Sequence, residues 1–280
     1  MDSPRGRVAV VTGASRGGGR GIALALGDAG ATVYVSGRST RGAPTTEGLP
    51  GTVEETAEAV TARGGRGIPV VCDHTADNQV AVLFARVHLE QGRLDLLVNN
   101  VWGGYERYES EAAFGVPFWQ QPPRHWHGMF EAGLRAHLLA SQHAAPLLVA
   151  QRRGLIVSTV AWDRGKYLGN LFYDVAKAAI VRLVFGMARE LREHGVAVVA
   201  VAPGFMRTER VVAVVGEAPE FDWSQTESPE YVGRAVAALA ADPNVLDKSG
   251  QVLAVGDLAR EYGFVDVDGR QVPSFHLPDD

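Results

Sequence analysis

Short apolar runs rich in β-branched residues alternate with longer stretches of helical periodicity along the chain. Strands are predicted at 7–12, 31–36, 67–72, 94–99, 154–159, 195–202 and 250–255. Helices are predicted at 19–29, 52–63, 77–91, 124–150, 171–193 and 230–241. Strands that are apolar throughout are typical of a parallel sheet covered by helices on both faces. The sequence therefore predicts an α/β fold with a doubly wound, Rossmann-type parallel sheet of about seven strands.

The composition limits the classes of partner and the cellular compartment that we expect for this protein. The net charge is -5 and no long basic stretch exists, which argues against nucleic acid and anionic membranes as partners. The longest apolar run, 196–202, is too short to span a bilayer, and the polar N-terminus lacks a signal peptide. Cys72 is the only cysteine, so no intrachain disulfide is possible and we expect a cytoplasmic protein. No spacing of His, Cys, Asp or Glu predicts a metal site.

The turn between the first strand and the first helix holds a cluster of glycines. Gly13, Gly17, Gly18 and Gly19 all fall between Thr12 and the apolar helix. The start of a helix offers unpaired N–H groups and the positive end of its dipole to a phosphate. Glycines allow unusual backbone angles and a close approach of the chain to the ligand. This context predicts a phosphate-binding turn.

The spacing Thr12-Gly13-x-x-x-Gly17-x-Gly19 resembles that of the short-chain dehydrogenase/reductase family. The segment LVNN at 97–100, the pair Tyr173-x-x-x-Lys177 and the segment PGFMRT at 203–208 match further motifs of that family in the same order. The tail from 249 onward resembles the branch typified by dehydrogenase/reductase member 1. The resemblance covers nearly the whole chain.

This resemblance implies a single dinucleotide-binding domain over 1–280 that transfers hydride between a nicotinamide and a carbonyl or alcohol. Segments 101–123 and 205–228 are expected to cap the substrate, and 256–280 to form a C-terminal extension. The family also implies a homodimer or homotetramer. The expected cofactor-binding residues are Gly13, Ser15, Arg16, Gly17, Gly18, Gly19, Arg38, Asp73, Asn99, Tyr173, Lys177, Pro203, Gly204 and Thr208.

The end of the second strand predicts the cofactor. An acid there would suit the ribose of NAD, whereas this strand is followed by Arg38, which suits the 2′-phosphate of NADP(H). Ser15 and Arg16 of the glycine turn could reach the same phosphate. Family resemblance assigns Asp73 to the adenine, although its position also fits a loop or helix cap. Gly18 replaces a residue that is usually apolar in the family. It is either a tolerated substitution or a source of extra room over the nicotinamide.

The resemblance also implies the catalytic residues. Tyr173 is the acid/base, and Lys177 binds ribose and tunes the phenol from the same helix face. The family places a serine 12–13 residues before the tyrosine, where this chain has Val160 and Ala161. Ser158 or Thr159 would reach that position only through a bulge in the strand.

A second family residue is also missing. The asparagine of the fourth helix aligns with Gly133, and His137, one turn later, is an alternative proton carrier. Three hypotheses follow: an NADP(H)-dependent reductase with a reduced catalytic set, a non-redox protein of the same fold that binds NADP(H), or a structural or interaction domain that binds neither nucleotide. Five tryptophans in or near the capping segments favour an apolar small-molecule substrate; they are Trp102, Trp119, Trp126, Trp162 and Trp223.

Overall fold

The computed structural model describes residues 6–106, 114–216 and 222–277. Within these ranges seven parallel strands form one sheet in the order β3-β2-β1-β4-β5-β6-β7. The strands are β1 (Val8–Thr12), β2 (Thr32–Gly37), β3 (Arg66–Val71), β4 (Leu96–Asn99), β5 (Gly154–Thr159), β6 (Val196–Ala202) and β7 (Val252–Ala254). The predicted Rossmann-type parallel sheet is confirmed.

Helices cover both faces of the sheet. The main helices are α1 (Gly17–Asp28), α2 (Val53–Ala62), α3 (Asp77–Gln91), α4 (Pro123–Met129), α5 (Ala136–Gln151), α6 (Leu171–Leu191), α7 (Glu209–Val215), α8 (Pro229–Ala241) and α9 (Val255–Tyr262). One apolar core joins the sheet to α1, α2, α8 and α9, and the other joins it to α3, α5 and α6. Every residue of β1 and β6 is buried, which explains their unbroken apolar sequences.

Close packing of α1 against α8 depends on two glycines. A Cβ on Gly21 would lie 1.9 Å from the carbonyl oxygen of Pro229, and one on Gly233 would lie 2.4 Å from the oxygen of Gly21. No side chain fits between these backbones. The contact therefore fixes the start of α1, and with it the glycine turn, against the second half of the chain.

The helix predicted over 124–150 is interrupted. It consists of α4, a π-helical stretch at Phe130–Arg135, and α5. Two helices were not predicted: α7, in the stretch expected to be irregular, and α9, directly after β7. The side chain of Thr208 caps α7 by accepting a hydrogen bond from the Val211 N–H at 3.2 Å.

Candidate active site

A cavity of about 660 Å³ lies at the carboxyl ends of the strands, where the sheet order reverses between β1 and β4. This is the position at which open α/β sheets bind ligands. It brings together most of the predicted site residues: Gly13, Ser15, Arg16, Gly17, Gly18, Arg38, Asp73, Tyr173, Lys177, Pro203, Gly204 and Thr208. Gly19 and Asn99 are not among the residues that line it.

The glycine turn has the backbone that its sequence predicts. Gly13 and Gly17 have φ angles of +64° and +56°, in the left-handed region that favours glycine. A Cβ on Gly19 would lie 2.3 Å from the carbonyl oxygen of Gly13, so this glycine permits the close turn. A Cβ on Gly18 would lie 3.4 Å from the methyl carbon of Met206. Met206 therefore already borders the space that the absence of a Gly18 side chain leaves.

The two arginines expected to bind phosphate have protein partners. The Arg16 guanidinium donates to Ser39 Oγ at 2.9 Å and to the carbonyl oxygens of Leu49, Pro50 and Gly51. These bonds hold the segment after β2 against the glycine turn. The Arg38 guanidinium pairs with Glu106 and has a 41% exposed side chain. Arg38 is therefore the more accessible of the two.

Asp73 both lines the cavity and stabilises a turn. Its Oδ1 accepts hydrogen bonds from the Thr75 N–H at 2.9 Å and from the Thr75 hydroxyl at 2.7 Å. The two interpretations of Asp73 from the sequence, a residue that caps a turn and a residue of the ligand site, are therefore compatible.

Two adjacent asparagines, Asn99 at the end of β4 and Asn100 directly after it, point to opposite sides. Asn99 is fully buried and its Nδ2 donates to Ser141 Oγ of α5 at 2.9 Å. Asn100 lines the cavity instead, and its Nδ2 donates to the Gly13 carbonyl at 3.1 Å. Side chains alternate along a strand, so only one of the pair faces the cleft. Asn100 was missed because family matching pointed to its neighbour.

Tyr173 and Lys177 face the cavity from the first two turns of α6. Asn170 caps this helix by accepting a hydrogen bond from the Tyr173 N–H at 3.0 Å. The Lys177 Nζ lies 5.2 Å from the centroid of the Tyr173 ring and 3.4 Å from that of Trp102. Burial lowers the pKa of Lys177 to about 7. Burial, together with nearby Tyr105, raises the pKa of Tyr173 well above its ordinary value.

Trp102 explains the missing asparagine of the fourth helix. A Cβ on Gly133 would lie 2.7 Å from Cζ3 of Trp102, and one on Gly104 would lie 2.6 Å from Cζ2. The indole thus fills the space beside Lys177, and Gly133 is the residue that leaves room for it. Gly133 lies in the π-helical stretch, a geometry that is frequent at functional sites.

The position of the family serine carries no hydroxyl in the cleft. The register of β5 with β6 is regular from Gly154 to Thr159, and the Val160 N–H continues it by donating to Val201. The possible bulge is therefore absent from β5. Ser158 is fully buried and does not line the cavity. The Thr159 hydroxyl donates a hydrogen bond to Asn100 Oδ1 at 3.3 Å.

His137 is packed as a neutral group. Its Nε2 lies 3.2 Å from the carbonyl oxygen of Val101, which can only accept, so Nε2 carries the proton. Burial, and secondarily Lys177, lowers the pKa of His137 to about 3. A histidine that stays neutral across the physiological range is a poor replacement for a proton carrier.

The C-terminal segment and α7 form one side of the cavity. Asp163 accepts hydrogen bonds from the Leu277 N–H at 2.6 Å and pairs with His276 at 2.9 Å, which brings Phe275 to the cavity wall. At the glycine turn, the Gly17 N–H donates to Glu209 Oε2 at 2.8 Å. A carboxylate from α7 therefore occupies the N-terminus of α1.

The five tryptophans lie in different environments. Trp102 and Trp162 line the cavity, whereas Trp119 is 70% and Trp126 is 40% exposed. Trp223 lies in a short 3₁₀ helix outside the lining residues. Part of the first predicted capping segment, 107–113, and part of the second, 217–221, lie outside the described residues.

Among residues 6–106, 114–216 and 222–277, no group of three or more His, Cys, Asp or Glu side chains is arranged to hold a metal ion. None of the helices within those ranges combines the length and the apolar character that a membrane crossing requires.

Known proteins match this chain in sequence and in structure. The family model for the short chain dehydrogenase matches residues 7–217. Dehydrogenase/reductase SDR family member 1 of Mus musculus is 43% identical over 97% of this chain and 86% of its own length. A putative dehydrogenase from Xanthomonas campestris superposes with a TM-score of 0.81 and 26% identity, covering 99% of this chain and 98% of that one.

A further solved structure bears on the cofactor. It is a putative NAD(P)-dependent gluconate 5-dehydrogenase from Beutenbergia cavernae with bound NADP, with a TM-score of 0.73 and 27% identity over 90% of this chain and 95% of that one. Proteins of this family are oxidoreductases, and their fold binds nicotinamide dinucleotides. The chain belongs to the short-chain dehydrogenase/reductase family and, within it, resembles the branch of member 1.

Proposed function

We propose that the protein is an NADP(H)-dependent oxidoreductase that transfers hydride between the nicotinamide and a carbonyl or alcohol of an apolar small molecule. The observation that carries this proposal is the position of Tyr173 and Lys177 in the same cavity as the glycine turn. A phenol, a buried amine and a phosphate-binding turn in one cleft are the parts that such a reaction needs.

The residues of the cavity fit a dinucleotide. The Gly13 and Gly17 backbone and the start of α1 would hold the pyrophosphate, because they offer N–H groups without side chains. Asp73 would face the adenine, and Pro203, Gly204 and Thr208 would border the nicotinamide end. When bound, the reduced nicotinamide supplies the hydride.

Arg38 supports NADP(H) over NAD(H). It follows Gly37 at the end of β2, where an acid would favour the unphosphorylated ribose. Its guanidinium is partly exposed, and exchanging Glu106 for a phosphate would keep a charge-assisted pair. The bound NADP in the Beutenbergia cavernae protein agrees with this choice.

Tyr173 holds the proton that the substrate oxygen receives during reduction. The phenol is protonated at neutral pH and so has a proton to donate. Because a general acid works best with a pKa near the operating pH, the nearby ammonium of Lys177 must lower the pKa that burial raises. The ammonium form of Lys177, 5.2 Å from the ring, stabilises the phenolate that remains after transfer. These two residues therefore supply acid and charge stabilisation without the usual serine and asparagine.

Aromatic side chains support an apolar substrate. Trp102, Tyr105, Phe114, Trp162 and Phe275 all line the cavity. We propose that 101–123, 205–228 and the C-terminal extension from 256 onward cap this substrate within one domain. We also propose a cytoplasmic protein that forms a homodimer or homotetramer. The exposure of Leu138 on α5 and Phe185 on α6 supports an interface on these helices.

A second candidate is a non-redox protein that binds NADP(H). The absence of hydroxyls at Val160 and Ala161 and of an amide at Gly133 favours it. The decisive experiment titrates purified protein with NADPH and NADH by fluorescence, then adds a panel of apolar ketones and aldehydes and follows NADPH oxidation. Binding with turnover supports the reductase. Binding without turnover of any carbonyl, or of alcohols with NADP⁺, supports the second candidate.

A further inference from the structure

We propose that Tyr105 is a second catalytic residue, whose hydroxyl gives the substrate oxygen the hydrogen bond that Val160 and Ala161 cannot give. The inference rests on the proposed reductase function and adds a residue to its mechanism. Tyr105 lines the cavity together with Tyr173.

The two phenols are direct neighbours. The Tyr105 and Tyr173 rings are 6.1 Å apart between centroids with 26° between their planes, so the two phenols stack. The Tyr105 side chain is also, after burial, a cause of the raised pKa of Tyr173. Among the described residues, Tyr105 brings a second phenolic hydroxyl to the side of Tyr173. Trp102 and Phe114 contact the Tyr173 ring with their own rings at 5.4 and 5.5 Å.

The segment after β4 holds Tyr105 in place. The Gly103 N–H donates to the carbonyl of Ala132 in the π-helical stretch at 3.0 Å. Gly104 packs so closely on Trp102 that no side chain fits there. On the outer side, the Arg210 guanidinium lies 5.0 Å from the centroid of the Tyr105 ring, and it is itself paired with Glu47. A hydroxyl carried by so constrained a ring costs little reorganisation during the reaction.

A carbonyl oxygen can enter between the two hydroxyls. Such an oxygen has two lone pairs and can accept one hydrogen bond from each phenol. In the reduction, the carbonyl carbon accepts a hydride from the bound dinucleotide and the π electrons move to the oxygen. Tyr173 transfers its proton to that oxygen and is reprotonated from solvent. Tyr105 keeps its proton and stabilises the developing negative charge.

The test combines Tyr105→Phe with Ala161→Ser. Tyr105→Phe keeps the stacked ring and removes the donor, so kcat should fall by about 10²-fold, the scale for one lost oxyanion donor. The Kd for NADPH should not change. Ala161→Ser restores the family serine and should recover at least tenfold of that loss in the Tyr105→Phe background. Tyr167→Phe, at a phenol with 59% exposure outside the cavity lining, is the matched control and should retain full kcat.

Several results would overturn the inference. Full kcat in Tyr105→Phe, or an equal gain from Ala161→Ser in both backgrounds, would show that Tyr105 does not act at the substrate oxygen. A parallel loss of NADPH binding and thermal stability in Tyr105→Phe would reduce its role to packing. Absence of any turnover by the unmodified protein is a separate result, because it refutes the proposed function itself and the inference with it.

Discussion

Burial changes the pKa values of Tyr173 and Lys177 in opposite directions. Burial disfavours the charged form of each, so the pKa of Tyr173 rises well above its ordinary value and that of Lys177 falls to about 7. The phenol is therefore protonated at neutral pH, and the amine lies near the midpoint of its titration. The phenol has a proton to donate, but its raised pKa makes it a weaker acid than one whose pKa lies near the operating pH.

Removal of the Tyr173 hydroxyl tests this assignment. Tyr173→Phe keeps the ring that contacts Trp102 and Phe114, so the fold and NADPH binding should survive. Turnover of any carbonyl that the protein reduces should fall by about 10²-fold or more, the scale of general acid catalysis. The measurement is steady-state NADPH oxidation beside circular dichroism. Unchanged kcat in the variant would refute the mechanism and make Asp163, which lines the cavity, the next residue to test.

Arg38 is the residue on which cofactor choice depends. Arg38→Ala removes the more exposed of the two guanidinium groups proposed for the 2′-phosphate, so the affinity for NADPH should fall about tenfold or more while that for NADH changes little. Titration of both nucleotides by fluorescence measures the two constants. Arg41→Ala is the matched control, because Arg41 pairs with Glu58 and does not line the cavity. Equal affinity of the unmodified protein for both nucleotides would contradict the NADP(H) assignment.

The π-helical stretch at Phe130–Arg135 and the indole of Trp102 form one packed unit. Gly133→Asn restores the family residue but adds a side chain where Trp102 already lies. We expect the free energy of unfolding to fall by about 1–3 kcal/mol, the usual cost of overpacking. Urea unfolding measures it. Adding Trp102→Ala should return part of the stability, whereas a Gly133→Asn variant as stable as the parent would show that this space is open.

Helix α7 touches the glycine turn through one carboxylate. Glu209 accepts from the Gly17 N–H at the start of α1, where the proposed pyrophosphate would bind, so the two compete. Glu209→Gln should raise the affinity for NADPH by about two- to fivefold, because a carboxylate at a helix N-terminus contributes about 0.3–1 kcal/mol. Glu193→Gln, with an 82% exposed side chain, controls for the change in net charge. The same affinity in all three proteins would exclude competition.

The sequence predicted elements whose periodicity is simple. Strand β5 has the predicted bounds, and the parallel direction of the strands was predicted from apolar runs separated by helices. Helix α7 was missed because Glu209–Val215 is short and rich in β-branched residues, which resemble a strand or a loop. The partner of Gly133 was missed for another reason. Trp102 is about thirty positions away, and only the fold shows that its indole excludes a side chain there.

The buried ammonium also affects the stability of the whole molecule. Lys177 binds a proton up to about pH 7 in the folded protein but up to about 10.5 in the unfolded chain. Between these values the unfolded state binds more protons, so the free energy of unfolding rises with pH by at most ~1.4 kcal/mol per unit.

Lys177→Met removes this linkage. In urea unfolding without cofactor, the unmodified protein should gain stability relative to Lys177→Met between pH 7 and 9, by up to about 2–3 kcal/mol. Lys248→Met, in which the lost ammonium lies in a pair with Glu261, is the matched control and should follow the unmodified protein. Parallel pH profiles for the unmodified protein and Lys177→Met would contradict the lowered pKa.

The two ends of the cavity are formed largely by different parts of the chain. The turn after β1, the segment after β2 and Asp73 after β3 form the end proposed for the nucleotide, whereas Tyr105, Trp162 and Phe275 all follow β4. Loops vary more readily than the strands that carry them. In evolutionary terms, substitutions in the segments after β4 can therefore reshape the proposed substrate end, while the turns after β1, β2 and β3 keep the proposed adenine and phosphate end unchanged.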